Sequence, residues 1–157
     1  MPRQKLKDFL DANGVRFVTI IHSRAYTAQE LAHSVHIPGH EFAKSVVVVG
    51  SDDNKYLAVL PADHKVNFEK FARALNLASA SLATEEMFAS LFPGCELGAM
   101  PPFGSIYKVQ TVVDSALKDN EYIAFNACSH SEVIKLNYKD YESLEKPIIA
   151  DISEHLH

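Results

Sequence analysis

Apolar residues first recur at helical spacing, with Leu6, Phe9 and Leu10 on one face, and predict a helix over 3–13 that Gly14 terminates. The period then shortens to two in "VRFVTII" (15–21), which reads as a strand. "TAQE" (27–30) is a capping box with Thr27 as N-cap and Glu30 returning to it; Ala28, Leu31, Ala32 and Val35 form an apolar helical face, and "IPG" (37–39) stops it. Residues 43–49 and 55–60 predict a hairpin across the polar turn "GSDDN" (50–54). A helix follows from about 68 to 76, capped by Asn67, stapled by Val66 and Phe71, and apolar at Phe68, Phe71, Ala72 and Leu75. "EEMFASLF" (85–92) is a shorter helix ending at Pro93-Gly94. After the loop "CELGAMPPFG" (95–104) come three strand-like runs, "IYKVQTVVD", "EYIAFNA" and "EVIKLNY", and a tail read as a short helix or extended cover. Helices interrupting the first half and strands crowding the second predict α+β with a mixed, mostly antiparallel sheet flanked by helices. No GxGxxG follows a strand, so a dinucleotide-binding βαβ unit is not expected.

Composition narrows the field. The 157 residues fit one domain, 1–157, with 47% hydrophobic and 22% charged residues, as in ordinary globular proteins. No stretch approaches the ~18 apolar residues of a membrane span, and the charged start "MPRQKLKDFL" is unlike a signal peptide. Cys95 and Cys128 are far apart, with no CxxC, so no disulfide framework is expected and the reducing cytoplasm is the default compartment. A net charge of −5 without a Lys/Arg run argues against a broad DNA-binding surface. It leaves room for a local site that holds one nucleic-acid end.

Three segments carry candidate chemistry. In "EFAKSVVVVG" (41–50), Lys44 opens a buried-strand pattern and shares a face with Val46 and Val48, while Ser45 shares the other with Val47 and Val49. Its ammonium either meets a phosphate, carboxylate or ester at a cavity rim, or snorkels to solvent as a strand-end gatekeeper. "GAMPPFG" (98–104) combines fixed φ at Pro101 and Pro102 with flanking glycines. Such a loop is either a structural turn or a stiff cradle whose N–H groups near Gly98 and Ala99 face an oxyanion. "NACSHSE" (126–132) gathers Asn126, Cys128, Ser129 and His130, and is read as pocket and water-holding residues rather than a Cys–His nucleophile. The eight histidines yield no metal site: His33 and His36 share the solvent face of their helix, Pro38-Gly39 separates His36 from His40, and HExxH and GxSxG are missing.

Taken in order, the lysine strand "AKSVVV", the hairpin and "AVLPA", then "GAMPPFG" and "NACSHSEVIKL", resemble the YbaK/aminoacyl-tRNA-synthetase-associated domain. This group includes the editing insertion of bacterial prolyl-tRNA synthetases and its free-standing relatives. The resemblance runs from about Tyr26 to Tyr138 and implies a barrel-like sheet and a free-standing hydrolase of mischarged tRNA esters. It implies catalytic roles for Lys44, Gly98 and His130, with Tyr26, Ser45, Ala99, Met100, Pro101, Pro102 and Ser129 around the substrate. It further implies the aminoacyl-tRNA 3′ end as partner, a synthetase as candidate second partner, and neither cofactor nor metal. The ribose hydroxyl beside the ester is the implied aid to proton transfer. One departure is Cys128, where the family frequently has glycine. That position keeps open a rival reading, a non-catalytic binding module of the same fold for a small ligand, a tRNA end or a partner protein.

Overall fold

The computed structural model describes residues 2–21, 32, 37–96 and 98–156. Among them, helix α1 (Pro2–Ala12) leads into strand β1 (Phe17–Ile21). The hairpin strands are β2 (Ala43–Gly50) and β3 (Lys55–Pro61), followed by β4 (His64–Val66) and helix α2 (Phe68–Ala74). Strand β5 (Ala80–Leu82) and helix α3 (Glu85–Leu91) precede the proline-rich loop. Strands β6 (Gln110–Asp114), β7 (Tyr122–Asn126) and β8 (Glu132–Asn137) then lead to helix α4 (Tyr138–Glu145), β9 (Ile148–Ala150) and β10 (Ser153–His155). The predicted capping box at Thr27 lies outside the described residues, as does Tyr26.

The strands form a five-stranded sheet ordered β5-β2-β3-β6-β9, a three-stranded sheet β1-β8-β7, and the pair β10-β4. Among the described strand pairs β3–β6 and β6–β9 are parallel and the others antiparallel, so the sheet system is mixed and mostly antiparallel as expected. It does not close into a barrel. Both faces of the large sheet are covered. Ala43, Val47, Leu57, Val59 and Val113 face a core shared with α1, α3, α4 and the small sheet. Val48, Tyr56, Ala58 and Val112 face Phe71 and Ile152 on the other side. That double cover explains the unbroken valines of β2, since a strand buried on both faces has no polar side.

Local signals held where the chemistry is local. Asn67 Oδ1 accepts the Lys70 N–H at 3.0 Å, and Thr84 Oγ1 accepts that of Met87 at 3.2 Å, capping α2 and α3 as N-cap residues do. Gly14 takes φ +68° beyond α1, the left-handed geometry that glycine permits. "IYKVQTVVD" is shorter as a strand than expected: Gly104–Tyr107 forms a 3-10 turn, and Lys108, at φ 61°, separates it from β6. The tail combines both expected forms, a helix at 138–145 and two short strands. One expectation is overturned. Cys95 and Cys128 form a disulfide across a sequence separation of 33, because the loop after α3 folds back onto the β7–β8 turn.

Candidate functional site

The site begins with a break in strand pairing. On one edge of β2, Glu41 O accepts the Ala124 N–H at 3.0 Å, and Val47 O accepts the Ala83 N–H at 3.0 Å. β5 pairs with β2 only from Val48 to Gly50. Between those anchors, no described strand pairs with this edge over residues 43–46. Odd-numbered residues of β2 turn their N–H and C=O groups to this edge, so those of Ser45 point into the gap. A cavity of about 310 Å³ opens there, lined by Ser45–Val47 on β2, Ala83–Glu85 and Phe88 at the start of α3, and Gly98 and Met100. Its volume is at the small end for ligand sites.

Lys44 and Ser45 flank the open edge from the two faces of the sheet. The Ser45 hydroxyl is buried and has no hydrogen-bond partner; buried polar groups are nearly always paired, so this one awaits an acceptor or donor. Lys44 is half-buried, and desolvation lowers its proton affinity, partly offset by the Asp63 carboxylate. No described carboxylate lies within ion-pair distance of its ammonium. A half-buried lysine fits both expectations, a charge at a cavity rim and a strand-end side chain whose stem is covered while its ammonium reaches solvent. It does not line the Ser45–Gly98 cavity; its electrostatic neighbours are Asp63 and His64.

Two loops close the far side. Gly98 has φ +81°, a conformation that L side chains rarely adopt, and a Cβ built there would stand 3.7 Å from His130 Cε1. Ala99 is fully buried and its backbone is committed, N–H to Glu96 O at 3.0 Å and C=O to the Cys128 N–H at 2.9 Å. The Ala99 N–H is therefore spent, while Gly98 lines the cavity. Pro101 and Pro102 are buried, and Pro102 O accepts the Tyr141 hydroxyl at 2.6 Å, tying the loop to α4. His130 is buried, its N–H donating to Glu96 Oε2 at 2.8 Å. The Ser129 hydroxyl is turned into its own loop, accepting the Ser131 N–H at 3.1 Å and lying 2.8 Å from Ser131 Oγ.

Glu96 is the residue that sequence reasoning missed. Its backbone N–H also donates to Cys128 O at 3.0 Å, so one residue stitches both loops together. A lone glutamate before "LGAMPP" gives no periodic signal. Cys128 itself has φ +66°, the left-handed region that a glycine would adopt without strain.

The edge of β2 and the glycine–proline loop meet at a small cavity, with His130 behind Gly98 and outside the cavity lining, in a pocket-bearing α+β domain built around a split sheet. Residues 22–144 match the aminoacyl-tRNA editing domain family, and the chain belongs to it. The multifunctional Ser/Thr-tRNA deacylase ProXp-y of Escherichia coli is 29% identical over 152 residues, covering 94% of this chain and 90% of that protein. The proline–tRNA ligase of Thermosipho africanus is 32% identical over 92 residues, 59% of this chain and 16% of the ligase. Among solved structures, hypothetical protein APE2540 superposes with a TM-score of 0.86 at 20% identity, over 96% of this chain and 99% of that one. A candidate trans-editing enzyme for prolyl tRNA synthetase gives 0.82 at 22%, over 98% and 97%. These two structures establish the fold. Aminoacyl-tRNA deacylation, expected from the sequence, is the activity class of the family to which the chain belongs.

Proposed function

We propose that the chain is a trans-acting deacylase, a single editing domain over residues 1–157, that hydrolyses the ester of mischarged tRNA, with serine and threonine as the acyl groups removed. The observation that carries this reading is the half-buried Lys44 ammonium, desolvated and, among the described residues, within ion-pair distance of no carboxylate, beside the open edge of β2. Such a group gains most from an anion or a polarised ester brought to it. The Ser45 hydroxyl, without a hydrogen-bond partner among the described residues, in a mostly apolar cavity favours a small acyl group with a polar atom of its own. The relationship to ProXp-y, a Ser/Thr-tRNA deacylase covered over 90% of its length, supports the same choice and a free-standing role.

An aminoacyl ester is already activated, so catalysis reduces to positioning water, stabilising the oxyanion and excluding solvent. Lys44, on the opposite face of β2 from the cavity, attracts the terminal nucleotide across the open edge by charge. The Gly98 N–H polarises the carbonyl, at a position where φ +81° disfavours any side chain. His130, set against Gly98 by its bond to Glu96, shapes the acyl pocket and orients water. A net charge of −5 suits a protein that grips only the acylated tip or takes delivery from a synthetase. We place it in the cytoplasm, where translation supplies the substrate; no described helix is long and apolar enough to cross a membrane.

The test is a panel of mischarged tRNAs. Ser-tRNA and Thr-tRNA should turn over faster than Ala-tRNA, and Lys44→Met should slow deacylation about 100-fold, the scale of one lost electrostatic contact in an active site. Ser45→Ala should narrow the preference over alanine, because a hydroxyl-matched pocket discriminates through its unpaired polar group. Equal rates for wild type and Lys44→Met would remove the role of the lysine. Inertness across the panel would favour the binding-module reading.

A further inference from the structure

On the face of the sheet away from the cavity, β10 pairs antiparallel with β4, and His155 stands opposite His64. Leu156 N–H donates to Asp63 O at 2.9 Å, which makes the next pair, His64 and His155, a non-hydrogen-bonded one whose side chains approach closely. Their ring centroids are 4.1 Å apart. Asp63, in the β3–β4 turn, brings Oδ1 to 3.7 Å from His64 Nε2. Ligand atoms of Asp63, His64 and His155 all lie within 4.8 Å of one another.

We propose that Asp63, His64 and His155 form a binding site for a late first-row divalent metal ion of the zinc type, separate from the Ser45–Gly98 cavity. Three observations converge on it. Asp63 Oδ1 is a buried carboxylate oxygen without a hydrogen-bond partner, the kind of orphan that an ion explains. His64 Nδ1 lies 2.8 Å from Ser153 Oγ. If Nδ1 donates there, the Nε2 lone pair is turned toward Asp63 and His155, as outer hydrogen bonds orient metal-ligating histidines. Finally, the 3.7 Å between Nε2 and Oδ1 is less than the about 4.2 Å that two bonds to zinc span end to end. His155 is exposed and can rotate to complete the set. Two imidazoles and one carboxylate suit zinc, cobalt or nickel better than magnesium or calcium. The Lys44 ammonium, felt by both Asp63 and His64, opposes a cation there; the Asp63 charge offsets it. A bound ion would clamp the C-terminal strand to the β3–β4 turn.

The experiment uses the full chain without an affinity tag, stripped with chelator, and Zn2+ as the only probe. Calorimetry should give one equivalent bound with micromolar or tighter Kd, and Tm should rise by about 5–10 °C at a hundredfold excess over Kd. His155→Ala and Asp63→Asn should each weaken binding at least tenfold and abolish the visible bands of the Co2+ form, while His40→Ala, an exposed histidine bonded to Asn120, should not. Because His155 is exposed, its variant should fold normally, with an unchanged metal-free Tm. No saturable single-equivalent binding, or binding that both variants leave intact, overturns the proposal.

Discussion

The His130 backbone N–H donates to Glu96 Oε2 at 2.8 Å, so a side chain from the start of the glycine–proline loop holds the histidine loop. Hydrogen bonds to charged groups contribute about 1.5–3 kcal/mol. Glu96→Ala should therefore lower single-turnover deacylation by about 10–100-fold, and Glu96→Gln, which keeps an acceptor, by less. Rates identical to wild type in both variants would show that His130 is held without this bond.

Gly98→Ala tests the backbone conformation. The left-handed region costs an L-residue about 1–2 kcal/mol, although the new methyl would meet His130 Cε1 only at an ordinary 3.7 Å. Denaturant unfolding should show a loss of that size, and deacylation should fall further than stability explains. A variant as stable and active as wild type would sever Gly98 from the oxyanion role.

The disulfide makes a third case. Closing a loop with a sequence separation of 33 stabilises by about 2–4 kcal/mol on the chain-entropy account. The oxidised protein should resist urea better than the reduced one by that margin. Cys95→Ser and Cys128→Ala should nonetheless deacylate substantially, since neither sulfur is assigned to attack. Under reducing conditions Cys128→Gly should be more stable than Cys128→Ala by about 1 kcal/mol, through relief of φ +66°. Loss of activity on alkylating reduced Cys128, together with an inactive Cys128→Ala, would revive a thiol mechanism.

Glu145 carries a pH signature. Burial raises its pKa, while Ser105 and Thr111 pull it down by donating to its oxygens. The folded value lies above the unfolded one, so the group contributes most stability below the ordinary carboxylate range. That contribution is lost as pH rises through the folded value. Glu145→Gln should flatten this part of the profile, and the wild-type-minus-variant difference in Tm should grow more positive as pH falls from 7 toward 4. A difference independent of pH would mean the carboxyl titrates normally.

Much of the fold was legible because its signals are local. The Asn67 cap, the hairpin over 43–60 and the break after Ala12 each depend on a few neighbouring residues. The strands of three residues at β4, β5, β9 and β10 were not legible, since a period of two cannot declare itself over so short a run. Of the residues that motif order singled out, Ser45, Gly98 and Met100 meet at one cavity, while Lys44, Ser129 and His130 lie outside its lining. The hydrogen bonding of the site was not legible. The sequence could not say that the Ala99 N–H is spent on Glu96 O.

By itself, then, the sequence determined the element types, the α+β class, the family and the identity of the chemical groups, because periodicity, caps and ordered motifs are written along the chain. Only the tertiary structure decided that Cys95 meets Cys128, that no described strand pairs with β2 between its bonds to Ala124 and Ala83, and that Asp63, His64 and His155 converge. Those are contacts between segments far apart in sequence. Pairing of that kind is fixed by how both faces of the large sheet are covered, which no local window contains.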